Sequence, residues 1–374
     1  MQLSDAERLK FRLLAEGLTL SPAARSRLDE IRGSRKLTPA DYPSTTGVIL
    51  RLDDNVWVNA PIAEHNQNFV RAPRNVLDVA PDGFVLRGGD LESPASVWLP
   101  PLYHDQDLST GRPANHFVFT HGDRVRLSPI RGCAMRCTFC NIPYEDPYGT
   151  KPVDSMIEAL ERAFADPLQP AQHILISGGT PIPRDVPFLQ QVYERVLLAF
   201  PGRHVDIMMA PVDGLFDLPR LKELGLHELS VNIELFNRSV ARELMPQKHR
   251  QGLARYLAFI AEAARVLGPG RVRSMLMVGL EPPEDTLAGV REILQAGGIP
   301  VLSPFRPDPA TPLRDVPPLC AEAYEEMFLR ATEMAADAGA ELGPSCAPCT
   351  HNTLTLVRPG HADATPRYPL PTLV

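Results

Sequence analysis

The sequence predicts an α/β protein whose parallel sheet curls into a partial barrel of six βα units, and three observations support this fold class. Beyond Arg124, short apolar runs alternate with segments of helical periodicity, which is typical of βα units. The apolar runs are hydrophobic at most positions, as in strands that are buried on both faces. The chain has 374 residues, enough for a barrel with additional modules.

The six barrel strands are predicted at residues 124–130, 172–177, 204–210, 228–233, 272–279 and 299–304. Helices are predicted between them, where apolar residues recur on one side, as in the segment that ends at Gly268-Pro269-Gly270. Six strands do not close a cylinder, so we expect accessory segments to cover the gap. We expect a substrate to enter at the carboxyl ends of the strands.

Residues 1–118 are predicted to form an accessory module of two helices followed by short strands. The first helix begins with the capping box Ser4-Asp5-Ala6-Glu7, and the second begins at Ser21-Pro22 and ends at Gly33. Two apolar runs that flank Pro81-Asp82-Gly83 predict a hairpin. The barrel domain is then expected at residues 119–307.

Residues 308–374 are predicted to be a C-terminal extension. It contains a helix from Ala321 to Ala338 and then a Cys-x2-Cys motif. The final residues are rich in proline and predict a surface tail, with prolines at Pro359, Pro366, Pro369 and Pro371.

Composition restricts the classes of function. The net charge of −7 argues against a nucleic-acid-binding protein, which needs a basic surface. No run of 18 apolar residues is present and the amino terminus lacks the pattern of a signal peptide, so we expect a cytoplasmic protein without a membrane partner. Six cysteines are too few for a disulfide scaffold in a chain of this length.

Three of those six cysteines, Cys133, Cys137 and Cys140, follow the first predicted barrel strand within eight residues. Thiolates at such spacing favour zinc or an iron–sulfur cluster. A structural zinc site would need a fourth ligand nearby, and neither His121 nor His173 is suitably placed in the sequence. The alternatives from the residues alone are an iron–sulfur cluster with an open position, a zinc site, or a chance grouping of buried cysteines.

The spacing Cys-x3-Cys-x2-Cys, with Phe139 before the last cysteine, resembles the cluster motif of the radical S-adenosylmethionine (SAM) enzymes. The resemblance implies that the three cysteines bind a [4Fe-4S] cluster, that SAM takes the fourth position, and that Phe139 lies near its adenine. It also implies an electron donor such as flavodoxin or ferredoxin. SAM would then be cleaved to a 5′-deoxyadenosyl radical that abstracts hydrogen from a small-molecule substrate, in a rearrangement, epimerisation, dehydrogenation or group transfer. The alternative is an iron–sulfur binding or sensor protein without turnover.

The second predicted strand is followed by Ser177-Gly178-Gly179-Thr180-Pro181. Adjacent glycines let the backbone approach a ligand closely. The segment is similar to the Gly-Gly-Glu-Pro motif of the family, which contacts the methionine amino group of SAM mainly through its backbone, and Thr180 replaces the glutamate.

Asn232 and Glu234 follow the fourth predicted strand and share one face of it. They resemble the Asn-x-Glu segment of biotin synthase and lipoyl synthase relatives, which implies contacts with the ribose or the ammonium group of SAM. Arg242, or alternatively Arg238, could pair with the SAM carboxylate. At the end of the sixth strand, Arg306 could hold a substrate anion or simply be solvated.

The remaining cysteines, Cys320, Cys346 and Cys349, leave three interpretations open. They could form a second site for an auxiliary iron–sulfur cluster or a zinc ion, with His351 nearby. One of the thiols could instead donate hydrogen to a product radical. The pair could also be two half-buried thiols in a proline-containing turn.

Overall fold

The structure is a computed structural model that describes residues 2–31, 47–53, 56–69, 73–89, 91–357 and 372–374. Among these residues, no helix is both long enough and apolar enough to cross a membrane.

The N-terminal part contains two helices and a sheet. Its elements are α1 (Asp5–Glu16), β1 (Thr19–Leu20), α2 (Pro22–Ile31), β2 (Gly47–Asp53), β3 (Val56–Pro61), β4 (Val76–Ala80), β5 (Gly83–Gly88) and β6 (Leu91–Val97). The strands form one sheet in the order β1-β4-β5-β6-β2-β3. The capping box is confirmed, because Glu7 N donates to Ser4 Oγ at 3.2 Å and Ser4 N donates to Glu7 Oε2 at 2.8 Å.

The predicted hairpin is also confirmed, since β4 and β5 pair antiparallel with Ala80 opposite Gly83. The predicted end of the second helix at Gly33 lies outside the described residues. The structure places this sheet within the span predicted as the accessory module.

The barrel strands come next, and a small two-stranded ribbon lies among them. These strands are β7 (Val118–His121), β8 (Arg124–Leu127), β9 (Ile130–Arg131), β10 (Gly149–Thr150), β11 (His173–Ile176), β12 (Val205–Met208), β13 (Leu226–Ser230), β14 (Val272–Val278) and β15 (Ile299–Pro304). Within the described residues, seven of them form a sheet in the order β15-β14-β13-β12-β11-β8-β7. The run from β8 to β15 is parallel throughout, which confirms the predicted partial barrel.

Strand β7 is an addition that the sequence analysis did not predict. It pairs antiparallel with β8, with His121 opposite Arg124, so only Gly122 and Asp123 form the turn. Gly122 has a φ of 62°, a left-handed conformation that glycine adopts without strain. The predicted first strand also ends earlier than expected, because Ile130–Arg131 leaves β8 and pairs with β10.

Helices follow and separate the barrel strands. They are α3 (Ile142–Glu145), α4 (Val153–Ala165), α5 (Val186–Ala199), α6 (Leu218–Glu223), α7 (Arg238–Leu244), α8 (Pro246–Gln251), α9 (Leu253–Leu267), α10 (Pro283–Gln295) and α11 (Ala321–Asp337). Short 3-10 turns lie at Leu102–Asp105, Ala114–His116, Pro183–Asp185 and Pro348–Asn352. The helices bury an apolar face against the sheet, as α4 does with Met156 and Leu160, which are fully buried.

Residues 343–354, which we call the C-terminal strap, run along the open edge of the barrel. Gly343 N donates to Pro300 O at 2.9 Å and Leu354 N donates to Leu302 O at 2.9 Å, so the strap is bonded to β15 at two points. The strap thus provides the accessory cover that an unclosed barrel requires.

The prolines of the predicted surface tail lie outside the described residues. The last three residues are described, and they are hydrogen bonded to the rest of the protein. Val374 and Val97 exchange backbone hydrogen bonds of 2.7 and 3.0 Å, which pairs the end of the chain with β6.

Candidate functional site

Residues 132–140, which we call the cysteine loop, begin directly after β9. The pairing of β9 with β10 holds the base of the loop. Gly132 has a φ of 61°, and a Cβ atom there would lie 2.7 Å from Asp146 O. The loop therefore needs glycine at its start for both conformation and space.

The cysteine loop is hydrogen bonded to residues 177–181, which we call the Gly-Gly loop. Thr180 N donates to Cys133 Sγ at 3.2 Å, and Ala134 N donates to Thr180 O at 3.0 Å. Met135 N adds a second donor to Cys133 Sγ at 3.3 Å. The backbone of both loops therefore points hydrogen-bond donors at one cysteine sulfur.

Gly179 sets how closely the two loops approach. A Cβ atom at this position would lie 1.7 Å from Gly132 O and 2.9 Å from Cys133 Cα. The residue after it, Thr180, contributes its backbone to Cys133 while its side chain is buried. The replacement of the motif glutamate by Thr180 is therefore compatible with a backbone role, and Pro181 is buried behind it.

The three thiols of the cysteine loop are close enough to affect one another. Cys137 is buried, while Cys133 and Cys140 are half-buried. Burial, the Glu234 carboxylate and the neighbouring thiols raise the pKa of Cys137, and burial raises the pKa of Cys140 to about 11.

Thiols that resist ionisation in this way become thiolates when a metal centre supplies positive charge. The other three cysteines of the chain lie elsewhere in the structure, so this loop offers three cysteine ligands. The donor set, the glycines and the backbone donors fit a cluster bound through three cysteines.

A buried ion pair lies beside the cysteine loop. Lys248 Nζ on α8 is 2.9 Å from Glu234 Oε2, and the two side chains are 11% and 14% exposed. Lys248 Nζ also donates to Asn232 O at 3.1 Å and lies 5.9 Å from the ring centroid of Tyr256. Burial lowers the pKa of Lys248, but the charges of Glu234, Tyr256 and Cys137 together with the bond to Glu234 raise that pKa overall, so the lysine is charged.

Glu234 is held in an unusual backbone conformation. Its φ is 66°, the left-handed region that residues with a side chain seldom adopt. Two backbone hydrogen bonds of 2.8 Å, from Glu234 N to Met275 O and from Met277 N to Glu234 O, hold it against β14. Strain of this kind persists where the surroundings fix a residue, often at functional sites.

Asn232 uses the oxygen of its side-chain amide for bonds within the barrel. Its Oδ1 accepts from Ser230 Oγ at 2.8 Å and from Met275 N at 3.1 Å, and the residue is buried. The acceptor half of the side chain thus joins β13 to β14, and its remaining amide nitrogen is the group left for a ligand.

The predicted arginines and the aromatic residue occupy separate positions. Arg242 is exposed on α7, and Arg238 donates to His249 Nδ1 at 3.0 Å. Phe139 is buried and packs in the hydrophobic core. Arg306 is half-buried and donates to Asn59 O at 3.2 Å and Asn352 Oδ1 at 2.9 Å, so it joins barrel, accessory sheet and strap.

Cys346 and Cys349 lie at the opposite end of the sheet, in a group that also contains two residues from the barrel. Asp123 precedes β8 and His173 begins β11, so both lie at the amino ends of parallel strands. We call these four residues the basal group: Asp123, His173, Cys346 and Cys349. The structure does not bring Cys320 to this group, because Cys320 is exposed at the N-cap of α11.

The position of the basal group argues against a thiol that quenches a substrate radical. The cysteine loop lies at the carboxyl ends of the same strands, and the six residues from His173 to Gly178 extend about 16 Å. Transfer of a hydrogen atom requires direct contact. Likewise, His351 is buried beside the pair, but its Nδ1 donates to Pro348 O at 2.6 Å, and His351 is not part of the group.

Sequence reasoning missed Lys248, Asp123 and His173. Lys248 follows Pro246-Gln247 on a short helix with no motif around it. The two-residue hairpin turn Gly122-Asp123 was the available signal for Asp123, since such a turn fixes the position of its residues. His173 lies within the predicted second strand, residues 172–177. In the structure it is the first residue of β11, and neighbouring loops can reach it.

Comparisons with known proteins agree with the cysteine motif. Residues 127–294 match the sequence profile described as the Radical SAM superfamily. The chain is 27% identical over 261 residues to the bacteriochlorophyllide c C-7(1)-hydroxylase of Chlorobaculum limnaeum, covering 62% of this chain and 63% of that protein, which is less than two thirds of its length.

Two solved structures are similar at lower identity. One is the FeFe-hydrogenase maturase HydG from Carboxydothermus hydrogenoformans, with 18% identity, a TM-score of 0.46, and coverage of 57% of this chain and 52% of that chain. The other is a radical SAM methyltransferase from Sphaerobacter thermophilus, with 16% identity, a TM-score of 0.45, and coverage of 76% and 81%.

Proposed function

We propose that this chain, whose residues 127–294 belong to the radical SAM superfamily, abstracts a hydrogen atom from a small metabolite at the carboxyl ends of its barrel strands. Its cofactors are a [4Fe-4S] cluster and SAM. The observation that carries the proposal is the cysteine loop bonded to the Gly-Gly loop, since Thr180 N donates to Cys133 Sγ and Thr180 O accepts from Ala134 N.

The three cysteines of the loop would hold the cluster. When bound, the cluster and SAM supply a carbon radical after one electron arrives from an external donor, which we propose is a flavodoxin or a ferredoxin. The N–H groups of Met135 and Thr180 donate to Cys133 Sγ, and such hydrogen bonds tune the reduction potential of a cluster.

The ion pair of Glu234 and Lys248 is proposed to bind the amino-acid end of SAM. That end carries one ammonium and one carboxylate, and a carboxylate beside an ammonium is complementary to it. Glu234 then supplies a negative charge that Thr180 cannot supply. The backbone of Gly178 and Gly179 would contact the same end, and the Asn232 amide nitrogen would face it.

The substrate is proposed to be a small molecule rather than a nucleic acid, because the net charge is −7. The name of the hydroxylase from Chlorobaculum limnaeum describes a reaction at one carbon of a pigment precursor, and we propose hydrogen abstraction from carbon as the shared step. We propose residues 1–118 and 308–374 as separate modules around a barrel domain of residues 119–307. The six free thiols fit a reducing, cytoplasmic compartment.

The test is anaerobic reconstitution with iron and sulfide, followed by reduction in the presence of SAM and measurement of 5′-deoxyadenosine and methionine. We expect both products from the wild-type chain and background amounts from a variant with Cys133, Cys137 and Cys140 all changed to Ala. Cys320→Ser is the matched control and should behave as wild type, because Cys320 is exposed at the N-cap of α11 and is not part of the cysteine loop.

A reconstituted wild-type chain that carries iron and sulfide but yields no 5′-deoxyadenosine would favour the alternative of an iron–sulfur sensor without turnover. A triple variant that keeps the full iron content and the visible absorbance of the wild type would contradict the assignment of the ligands.

A further inference from the structure

We propose that the basal group binds one zinc ion that has a structural role. This site is distinct from the cysteine loop and does not depend on the proposed function. Its four residues offer two thiolates, one imidazole and one carboxylate, each of which is a zinc ligand in proteins, and four of them fill a tetrahedral site.

The distances between the ligand atoms match the edges of a tetrahedron around one ion. Zinc–sulfur bonds of about 2.3 Å and zinc–nitrogen or zinc–oxygen bonds of about 2.0 to 2.1 Å give edges of about 3.3 to 3.8 Å. Asp123 Oδ1 lies 3.3 Å from His173 Nε2, 3.3 Å from Cys346 Sγ and 3.7 Å from Cys349 Sγ.

The remaining measured edges agree as well. His173 Nε2 lies 3.8 Å from Cys346 Sγ and 3.5 Å from Cys349 Sγ. All of the ligand atoms, including the two sulfurs, lie within 4.8 Å of one another. That spacing encloses a single ion, and a cluster of several iron and sulfide atoms would need more room.

The geometry does not suit a nucleophilic Cys-His-Asp arrangement. In such an arrangement the carboxylate and the thiol bind opposite ring nitrogens of the histidine. Here both Asp123 and Cys349 approach the same atom, His173 Nε2. Convergence on one nitrogen points all the donors at a common centre instead.

The charges around the group fit an occupied site. Two thiolates and one carboxylate with a divalent ion carry one net negative charge. Two arginines lie near enough to compensate this charge. The charge of Arg124 lowers the pKa of Cys349 and of Asp123, and the charges of Cys346 and Cys349 raise the pKa of Arg273.

A second cluster of potential metal ligands differs from the basal group, because an arginine side chain already neutralises it. Asp206, His227 and Glu228 also lie close together in the barrel. There, however, Arg273 Nε is 2.6 Å from Glu228 Oε2 and Arg273 Nη2 is 3.2 Å from Asp206 Oδ2. A guanidinium occupies the place of a cation, so we assign no metal to this cluster.

The ion would fasten the C-terminal strap across the gap in the barrel. The strap is bonded to β15 on one side, and its two cysteines reach residues before β8 and in β11 on the other side. The turn that carries Cys349 packs tightly on the hairpin, because a Cβ at Gly122 would lie 2.9 Å from Pro348 Cβ. The zinc would thus join the first and last strands of an unclosed barrel at their amino ends.

The test is metal analysis of the full chain, purified anaerobically from cells supplied with zinc and iron. We expect about one zinc per chain in the wild type. The double variant Cys346→Ser with Cys349→Ser should lose zinc at least about tenfold while it keeps reconstituted iron. The triple Ala variant of the cysteine loop should show the reverse, and Cys320→Ser should keep both metals.

A second measurement covers the case in which the double variant does not fold. The triple Ala variant, grown with Co²⁺ instead of zinc, should show the visible bands of tetrahedral cobalt and a sulfur-to-cobalt charge-transfer band. The inference is overturned if that variant binds neither zinc nor cobalt, if the double variant keeps its zinc, or if a double variant that folds as the wild type does loses iron and sulfide. None of these readouts uses 5′-deoxyadenosine, so failure here is distinguishable from failure of the proposed function.

Discussion

Gly179 allows the cysteine loop and the Gly-Gly loop to approach closely, because it has no Cβ atom. Its neighbour Gly132 lies so close that a Cβ atom would be 1.7 Å from a carbonyl oxygen. The sequence suggested that the two glycines serve ligand approach. The structure adds that one of them serves the contact between two loops, which no pattern within either loop could reveal.

The variant Gly179→Ala should separate the cysteine loop from the Gly-Gly loop. We expect the unfolding free energy to fall by about 1 to 3 kcal/mol, as for overpacking of a tight contact. Reconstituted iron and 5′-deoxyadenosine should fall as well, because Thr180 N would leave Cys133 Sγ. Denaturant unfolding and iron analysis measure both effects.

Gly149→Ala is the matched control. A Cβ atom there meets nothing nearer than 3.6 Å, at the Arg131 guanidinium, and its φ is not in the left-handed region. Equal losses in the two variants would show that the close contact at Gly179 is not the cause.

Replacement of Lys248 should leave the buried carboxylate of Glu234 without its partner. For Lys248→Met we expect a loss of about 3 to 5 kcal/mol in the unfolding free energy, the cost of a buried charge without its counter-ion. We also expect a higher KM for SAM with a smaller change in kcat. Thermal unfolding and steady-state kinetics measure these quantities.

Arg330→Met is the comparison, because Arg330 pairs with Glu284 on an exposed surface where the side chains are 40% and 72% exposed. It should change the unfolding free energy far less than Lys248→Met does, because water screens an exposed pair. A Lys248→Met protein as stable as this control would refute the importance of the buried pair.

At the scale of elements, helix α1 is fastened to the C-terminal region by a buried lysine. Lys10 Nζ donates to Thr350 O at 3.0 Å and to Thr355 O at 2.6 Å. Burial lowers its pKa to about 7 from an ordinary value of 10.5, against the charge of Glu7, which raises it. A neutral amine has two hydrogens to donate, which matches these two acceptors.

Lys10 should make stability rise with pH between about 7 and 10.5. In that window the unfolded chain binds a proton that the folded chain does not bind, so higher pH favours folding, by up to about 1.4 kcal/mol per pH unit. Below about pH 7 both states bind the proton and this contribution becomes constant. The difference in unfolding free energy between wild type and Lys10→Met should show this slope, and a difference that is flat with pH would contradict the buried position of the amine.

The elements themselves were largely predictable. Six parallel strands, the capping box and the hairpin at Pro81-Asp82 follow from local patterns of apolar residues, caps and turns. Strand β7 was missed because its turn of Gly122 and Asp123 was not recognised. The basal group could not be predicted, since its members are separated by as many as 226 residues and are brought together only by the barrel.

At the scale of the whole molecule, the strap connects the two edges of an incomplete barrel. It is bonded to β15 through Gly343 and Leu354 and reaches the start of β8 through Cys346. Arg306 and Lys10 add contacts from the barrel and from α1 to the same region. The strap is therefore a junction between the N-terminal sheet, the barrel and the C-terminal extension.

If the basal group holds this junction closed, its loss should open the strap without affecting the cysteine loop. Hydrogen exchange measured by mass spectrometry should show faster exchange in residues 343–354 and in β7 for the double serine variant. Peptides that contain residues 132–140 should exchange as in the wild type. Unchanged protection of the strap would mean that its backbone bonds to β15 suffice.

Strand β8 has only four residues, from Arg124 to Leu127, with Asp123 at one end and the chain leading to the cysteine loop at the other. Removal of one residue would shorten it by about 3.3 Å and turn every following side chain to the opposite face. Either Asp123 or the cysteine loop would then be out of place. We therefore expect the length of this strand to tolerate no insertion or deletion, even where changes of residue type are accepted.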